Sequence, residues 1–191
     1  MISLFAISLF LQTTAPTLPS ESLWQIQGSF EDQNGKKISL AELAGEPALV
    51  AMFYASCPRA CPMLVSDIKH VLASLTIEEQ ARLRVVLITL DPSHDTPAVL
   101  QEVLRIRGLN PTRTTLLRTN GPATRTLAAA LGVRYRPGTG DQGAIDHTSK
   151  IVLVDSGGVI QKSREDSSAP VEGLKESIRS VLKRAPLTQA P

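Results

Sequence analysis

Two stretches of the chain, residues 48–54 (ALVAMFY) and 83–90 (LRVVLITL), are apolar on successive residues rather than on alternate ones. Successive residues of a strand face opposite sides of its sheet, so runs of this kind read as strands buried on both faces. A sheet buried on both faces needs helices packed over each side. The rest of the chain supplies them. Leu64, Ile68, Val71, Leu72 and Leu75 form one stripe at helical spacing over residues 63–75. Thr96 and Pro97 suit the cap and first turn of a helix that runs to about Arg107 and ends at Gly108. Residues 122–131 form a third helix stopped by Gly132, and residues 171–183 a last amphipathic one.

Shorter strands complete the pattern. Asn34-Gly35 marks a tight turn within residues 30–40, and Gly157-Gly158 marks another between residues 151–155 and 159–161. Leu116 and Leu117 fit a short strand, and residues 133–146, rich in Gly, Arg and Asp, read as a long surface loop. Strands alternating with helices, then a closing hairpin and helix, give an α/β sandwich with a central mixed sheet flanked by helices. A chain of 191 residues carries one such domain with short extensions. Its formal net charge of +2 is spread over scattered lysines and arginines, which excludes a nucleic-acid footprint.

The first 20 residues bear no charged side chain, and residues 2–11 (ISLFAISLFL) are apolar. At about 1.5 Å per helical residue the run is too short to span a bilayer of roughly 30 Å, and it suits the core of a secretory signal better. Residues 13–15 (TTA) offer a small-residue cleavage site, although no Lys or Arg precedes the run. The expected division is therefore a signal peptide or short membrane anchor over residues 1–19, a folded domain over 20–185 and a loose tail over 186–191.

Two cysteines, Cys57 and Cys61, directly follow the first buried strand. Strand ends of this kind are where open sheets place ligands. A pair cannot make a disulfide framework, and in an oxidising compartment it points to redox chemistry or metal binding. The four-residue spacing puts both sulfurs on one face of a helix, and a helix N-terminus favours thiolate over thiol. Arg59 adds positive charge in sequence. Two soft thiolates favour Cu(I), and an added imidazole also suits Cu(II). His70, His94 and His147 are the candidate third ligands. His70 sits two turns into the helix and His94 in an aspartate-rich loop, whereas His147 immediately precedes a strand.

In order along the chain, Cys57-Pro58-Arg59-Ala60-Cys61-Pro62, Asp91-Pro92-Ser93-His94-Asp95-Thr96-Pro97 and Asp146-His147-Thr148 match three motifs, C-x-x-x-C-P, D-P-x-x-D-T-P and D-H-[ST]. On these the chain, from about residue 30 to 182, resembles the Sco/SenC copper proteins. The resemblance implies a thioredoxin-like fold and copper, as Cu(I), Cu(II) or both, held by Cys57, Cys61 and His147. It implies delivery of copper to the Cu-A site of cytochrome c oxidase subunit II, or to another copper or thiol protein, or reduction of that site's thiols. It further implies a location in the periplasm, secreted or attached to the membrane. Asp91, Asp95 and Asp146 are expected either to shape their own loops or to orient the site, Asp146 through the His147 ring. Thr114-Thr115 and Arg59 depart from the family pattern without removing a ligand. A thiol–disulfide oxidoreductase using Cys57 and Cys61 is the alternative, although C-x-x-C is its usual spacing. A peroxiredoxin-like peroxidase is a third reading, and zinc shares the Cys₂His donor set.

Overall fold

A computed structural model describes residues 17–58, 60–136, 145–165 and 172–184. The apolar run of residues 2–11, Arg59, most of the expected loop (137–144) and the tail from 185 onward lie outside the described residues. The chain order begins with β1 (Phe30–Asp32), β2 (Lys37–Ile38), β3 (Ala48–Phe53) and α1 (Ala60–Ala73). It continues with α2 (Ile77–Ala81), β4 (Arg84–Thr89), α3 (Pro97–Ile106), β5 (Thr114–Arg118) and α4 (Gly121–Leu131). The last elements are β6 (Tyr135–Arg136), β7 (Asp146–His147), β8 (Ile151–Val154), β9 (Ile160–Arg164) and α5 (Glu172–Arg184).

Seven strands form one mixed sheet in the order β2-β1-β5-β4-β3-β8-β9. The two apolar runs are its centre: β3 and β4 lie side by side and parallel, and every residue of β3 is buried. β5 extends the parallel part beyond β4, while β8 pairs antiparallel with β3 on the other side. Buried side chains from α1, α4 and α5 join the same core, among them Ile68, Leu127 and Ile178. The expected sandwich is present, and helix caps follow the sequence: Thr96 accepts the Val99 amide with Pro97 in the first turn, and Gly132 closes α4 at φ 66°.

Two register relations decide what meets at the top of the sheet. Phe53 is level with Thr89, so the loops leaving β3 and β4 emerge together, and Leu90 N–H donates to the Phe53 carbonyl at 2.7 Å. Ala51 is level with Ile151 in the antiparallel β3/β8 pair, so residues just before β8 return to the end that β3 leaves. The cysteine loop, the aspartate loop and the segment with His147 are thus brought to one end by strand direction alone.

The region expected as a loop over 133–146 differs from that expectation. Its ends are strands β6 and β7, paired antiparallel with Tyr135 opposite His147. Arg134 and Thr148 continue the ladder: Thr148 N–H donates to the Arg134 carbonyl at 2.9 Å, and Arg134 N–H to Thr148 Oγ1 at 3.0 Å. Two-residue strands carry too little periodicity to be read in sequence.

Candidate metal centre

Cys57 sits in a tight turn. Its N–H donates to the Tyr54 carbonyl at 3.2 Å, across Ala55 and Ser56. Cys61 follows in the first turn of α1. The sulfurs meet by a capping arrangement rather than along one helix face as expected. Cys57 lies before the helix, and its Sγ accepts the Cys61 N–H at 3.2 Å, much as an N-cap oxygen would. Cys61 Sγ in turn accepts the Tyr54 N–H at 3.4 Å. Neither cysteine is in a disulfide, and they are 5% and 4% exposed.

The imidazole arrives on the β6–β7 ribbon. His147 Nδ1 lies 3.2 Å from the Thr148 carbonyl, which fixes the proton on Nδ1 and leaves Nε2 with its lone pair directed inward. Nε2 stands 3.9 Å from Cys61 Sγ. The partner of Nδ1 is therefore the Thr148 carbonyl, not Asp146. Asp146 is exposed and lies opposite Arg136 in the ribbon, because neighbouring residues of a strand face opposite ways. Tyr54 supports the ring from the side, edge-on at 5.6 Å between centroids and 77° between planes.

Asp95 is drawn to the cysteine turn, whereas Asp91 is not. Asp95 is 2% exposed, and its Oδ2 accepts the Ala55 N–H at 3.0 Å and the Thr89 hydroxyl. Thr89 Oγ1 also accepts the Asp91 N–H at 2.9 Å, so strand end and loop are tied in one chain of bonds. The Asp91 carboxylate instead holds the exposed His94 ring at 2.8 and 2.9 Å. That contact raises the His94 pKa, first through the hydrogen bond and then through charge attraction. His70 is exposed on α1, with Nδ1 3.3 Å from the Ser66 carbonyl in the previous turn. Neither histidine joins the cluster.

Electrostatics at Cys61 run against the sequence expectation of a helix-stabilised thiolate. Burial pushes the Cys61 thiol well above the ordinary cysteine range, with the Cys57 sulfur adding to the rise and the Tyr54 N–H opposing it. Asp95 is raised mainly by burial, and Tyr54 by burial and then by Cys57. Cys61 is thus a neutral thiol at rest, and a cation binding its sulfur displaces the proton.

Cys57, Cys61 and His147 offer one ligand atom each, all within 4.8 Å of one another. Bonds of roughly 2.0–2.3 Å from a metal to imidazole nitrogen and thiolate sulfur place neighbouring ligand atoms about 3.6–3.8 Å apart. The 3.9 Å Sγ–Nε2 separation lies just above this span. Two soft sulfurs and an imidazole in a buried setting fit a soft or borderline ion. Sequence reasoning missed Tyr54 and Thr148. A polar-tipped residue ending an apolar strand was a usable signal for Tyr54; Thr148 acts through its carbonyl, which any residue supplies.

Comparison with known proteins agrees with this arrangement. The family model described as SCO1/SenC matches residues 20–183. A "SCO2-like protein" of Rickettsia felis is 29% identical over 185 residues, covering 90% of this chain and 88% of the relative. Among solved structures, Bradyrhizobium japonicum ScoI with copper bound superposes with a TM-score of 0.67 at 24% identity, covering 81% of this chain and 96% of that one. BsSco, a member of the Sco family of cytochrome c oxidase assembly proteins in which a disulfide switch was identified, gives 0.68 at 19% identity, covering 91% and 100%. These likenesses show the thioredoxin-like fold.

Proposed function

Since the chain belongs to the SCO1/SenC family, we propose that it carries one copper ion on Cys57 Sγ, Cys61 Sγ and His147 Nε2. It delivers that cargo to the Cu-A site of cytochrome c oxidase subunit II, or keeps that site's thiols reduced. The observation that supports this reading is the convergence of the three ligand atoms within 4.8 Å, from two segments 86 residues apart. Soft thiolates hold Cu(I), and the imidazole makes Cu(II) tenable as well. The apolar run of residues 2–11 supports export, with the domain working at the periplasmic face, secreted or attached to the membrane. No helix among the described residues is long and apolar enough to cross a membrane.

Within this reading the chain's own groups divide the work. Asp95 pins the 54–57 turn, Tyr54 and the Thr148 carbonyl hold the imidazole, and burial keeps water from the sulfurs. Anaerobic titration with Cu(I) tests it. One equivalent per chain is expected, with Cys57→Ser, Cys61→Ser and His147→Ala each weakening binding by about tenfold or more. Unchanged affinity in any of the three contradicts the ligand set.

Thiol–disulfide exchange is the second reading, favoured by two cysteines that lie close to one another without a disulfide between them. The raised Cys61 pKa weighs against it, because exchange proceeds through the thiolate. His147→Ala separates the two: exchange survives loss of the imidazole, whereas copper carriage does not.

A further inference from the structure

We propose that the Tyr54 hydroxyl is a positioning group that bridges the two ligand-bearing segments and, by donating to Cys57 Sγ, favours Cu(I) over Cu(II) at the site; this rests on the copper reading above. Tyr54 follows β3 directly, ahead of the cysteine turn, and is 3% exposed. It meets all three ligand residues. Its N–H donates to Cys61 Sγ at 3.4 Å, its carbonyl accepts the Cys57 N–H at 3.2 Å, and its ring stands edge-on to His147 at 5.6 Å.

A phenylalanine would make every one of those contacts, because they use only backbone and ring. What sets tyrosine apart here is the hydroxyl. It donates to Cys57 Sγ and accepts the N–H of Ile145, two residues before His147. The relay Ile145 N–H, Tyr54 O–H, Cys57 Sγ therefore ties the cysteine turn to the segment that carries the imidazole. Burial keeps the phenol protonated at neutral pH, so it remains a donor. An O–H that donates to a copper-bound thiolate draws charge from the sulfur. Cu(II) relies on thiolate donation more than Cu(I) does, so such a bond raises the reduction potential of the bound copper. The Cys61 N–H, 3.2 Å from Cys57 Sγ, acts in the same direction on the same sulfur.

Tyr54→Phe tests the hydroxyl, since it keeps the ring against His147. In the copper-loaded protein the ratio of Cu(I) to Cu(II) affinity is expected to fall about tenfold, read as a drop of about 59 mV in the one-electron copper potential. The thiolate-to-Cu(II) absorption band should move to lower energy. In the metal-free protein, exchange of the Ile145 amide with solvent should quicken by about fivefold, because its acceptor is gone. A merely structural role weakens both oxidation states alike and leaves the potential and the band in place; that result overturns the proposal. Unaltered Ile145 exchange overturns the bridge. Wild-type protein that takes up no copper contradicts the copper reading instead, and exchange in the metal-free protein still decides whether the hydroxyl joins the two segments.

Discussion

At the scale of single residues, the site is set by a small number of backbone groups that select side-chain positions. Asp95 is the clearest case. Asp95→Ala leaves the Ala55 N–H and the Thr89 hydroxyl without their shared acceptor, so a loss of about 1–3 kcal/mol is expected in urea unfolding. The loosened 54–57 turn should lower copper affinity as well. The raised pKa of Asp95 has a definite sign in stability. An acid whose folded pKa lies above its unfolded value, about 3.9, stabilises the fold while protonated. That contribution is complete below the unfolded value and is lost as pH rises through the folded one. Wild-type stability should therefore fall more steeply above about pH 4 than that of Asp95→Asn. Cys61 makes the complementary prediction for binding. Its thiol stays protonated at neutral pH, so copper must displace that proton, and apparent affinity should rise with pH by up to about tenfold per unit for each proton released. A pH-independent affinity between pH 6 and 8 contradicts a protonated resting Cys61 thiol.

Elements carry the residues to their places, and here sequence and structure part company in instructive ways. The buried strands β3 and β4, the helix starts at Thr96 and Asn120 and the stop at Gly132 follow from patterns local to each segment. So does the placement of Cys57 and Cys61 at the end of a buried strand. Position just before a strand favours His147 among the three histidines, and the family resemblance singles it out. Its placement depends on β8 running antiparallel to β3, a long-range fact with no local signature. The β6–β7 ribbon was read as loop for the same reason: two residues per strand leave nothing periodic to detect. For Asp146 adjacency in sequence leaves two readings open, orienting the imidazole or shaping its own loop; it is exposed, and the partner of His147 Nδ1 is the Thr148 carbonyl. Gly158 offers an element-scale test. It sits at φ 82°, and a Cβ there would lie 2.5 Å from Trp24 Cδ1. The β8–β9 turn can thus approach the 3₁₀ turn Leu23–Gln25, whose Leu23 N–H donates to the Gly158 carbonyl at 3.0 Å. Gly158→Ala should cost at least about 1–2 kcal/mol from backbone conformation alone, with the Trp24 clash added. Stability within 0.5 kcal/mol of wild type, roughly the span of an ordinary surface substitution, would contradict this packing.

Over the whole molecule, one arrangement dominates: a mixed sheet whose strand directions gather three loops at one end. Such a body suits carriage of an ion between partners, since the ligands come from segments that the sheet, not the metal, brings together. The central claim is that these ligands are two sulfurs and one imidazole on a single copper ion. X-ray absorption at the copper edge, on the protein loaded with one equivalent of Cu(I) under anaerobic conditions, tests it most directly. The account predicts two sulfur scatterers and one imidazole nitrogen per copper, with the nitrogen contribution absent in His147→Ala. A wild-type spectrum without imidazole scattering, or one that His147→Ala leaves unchanged, would contradict it.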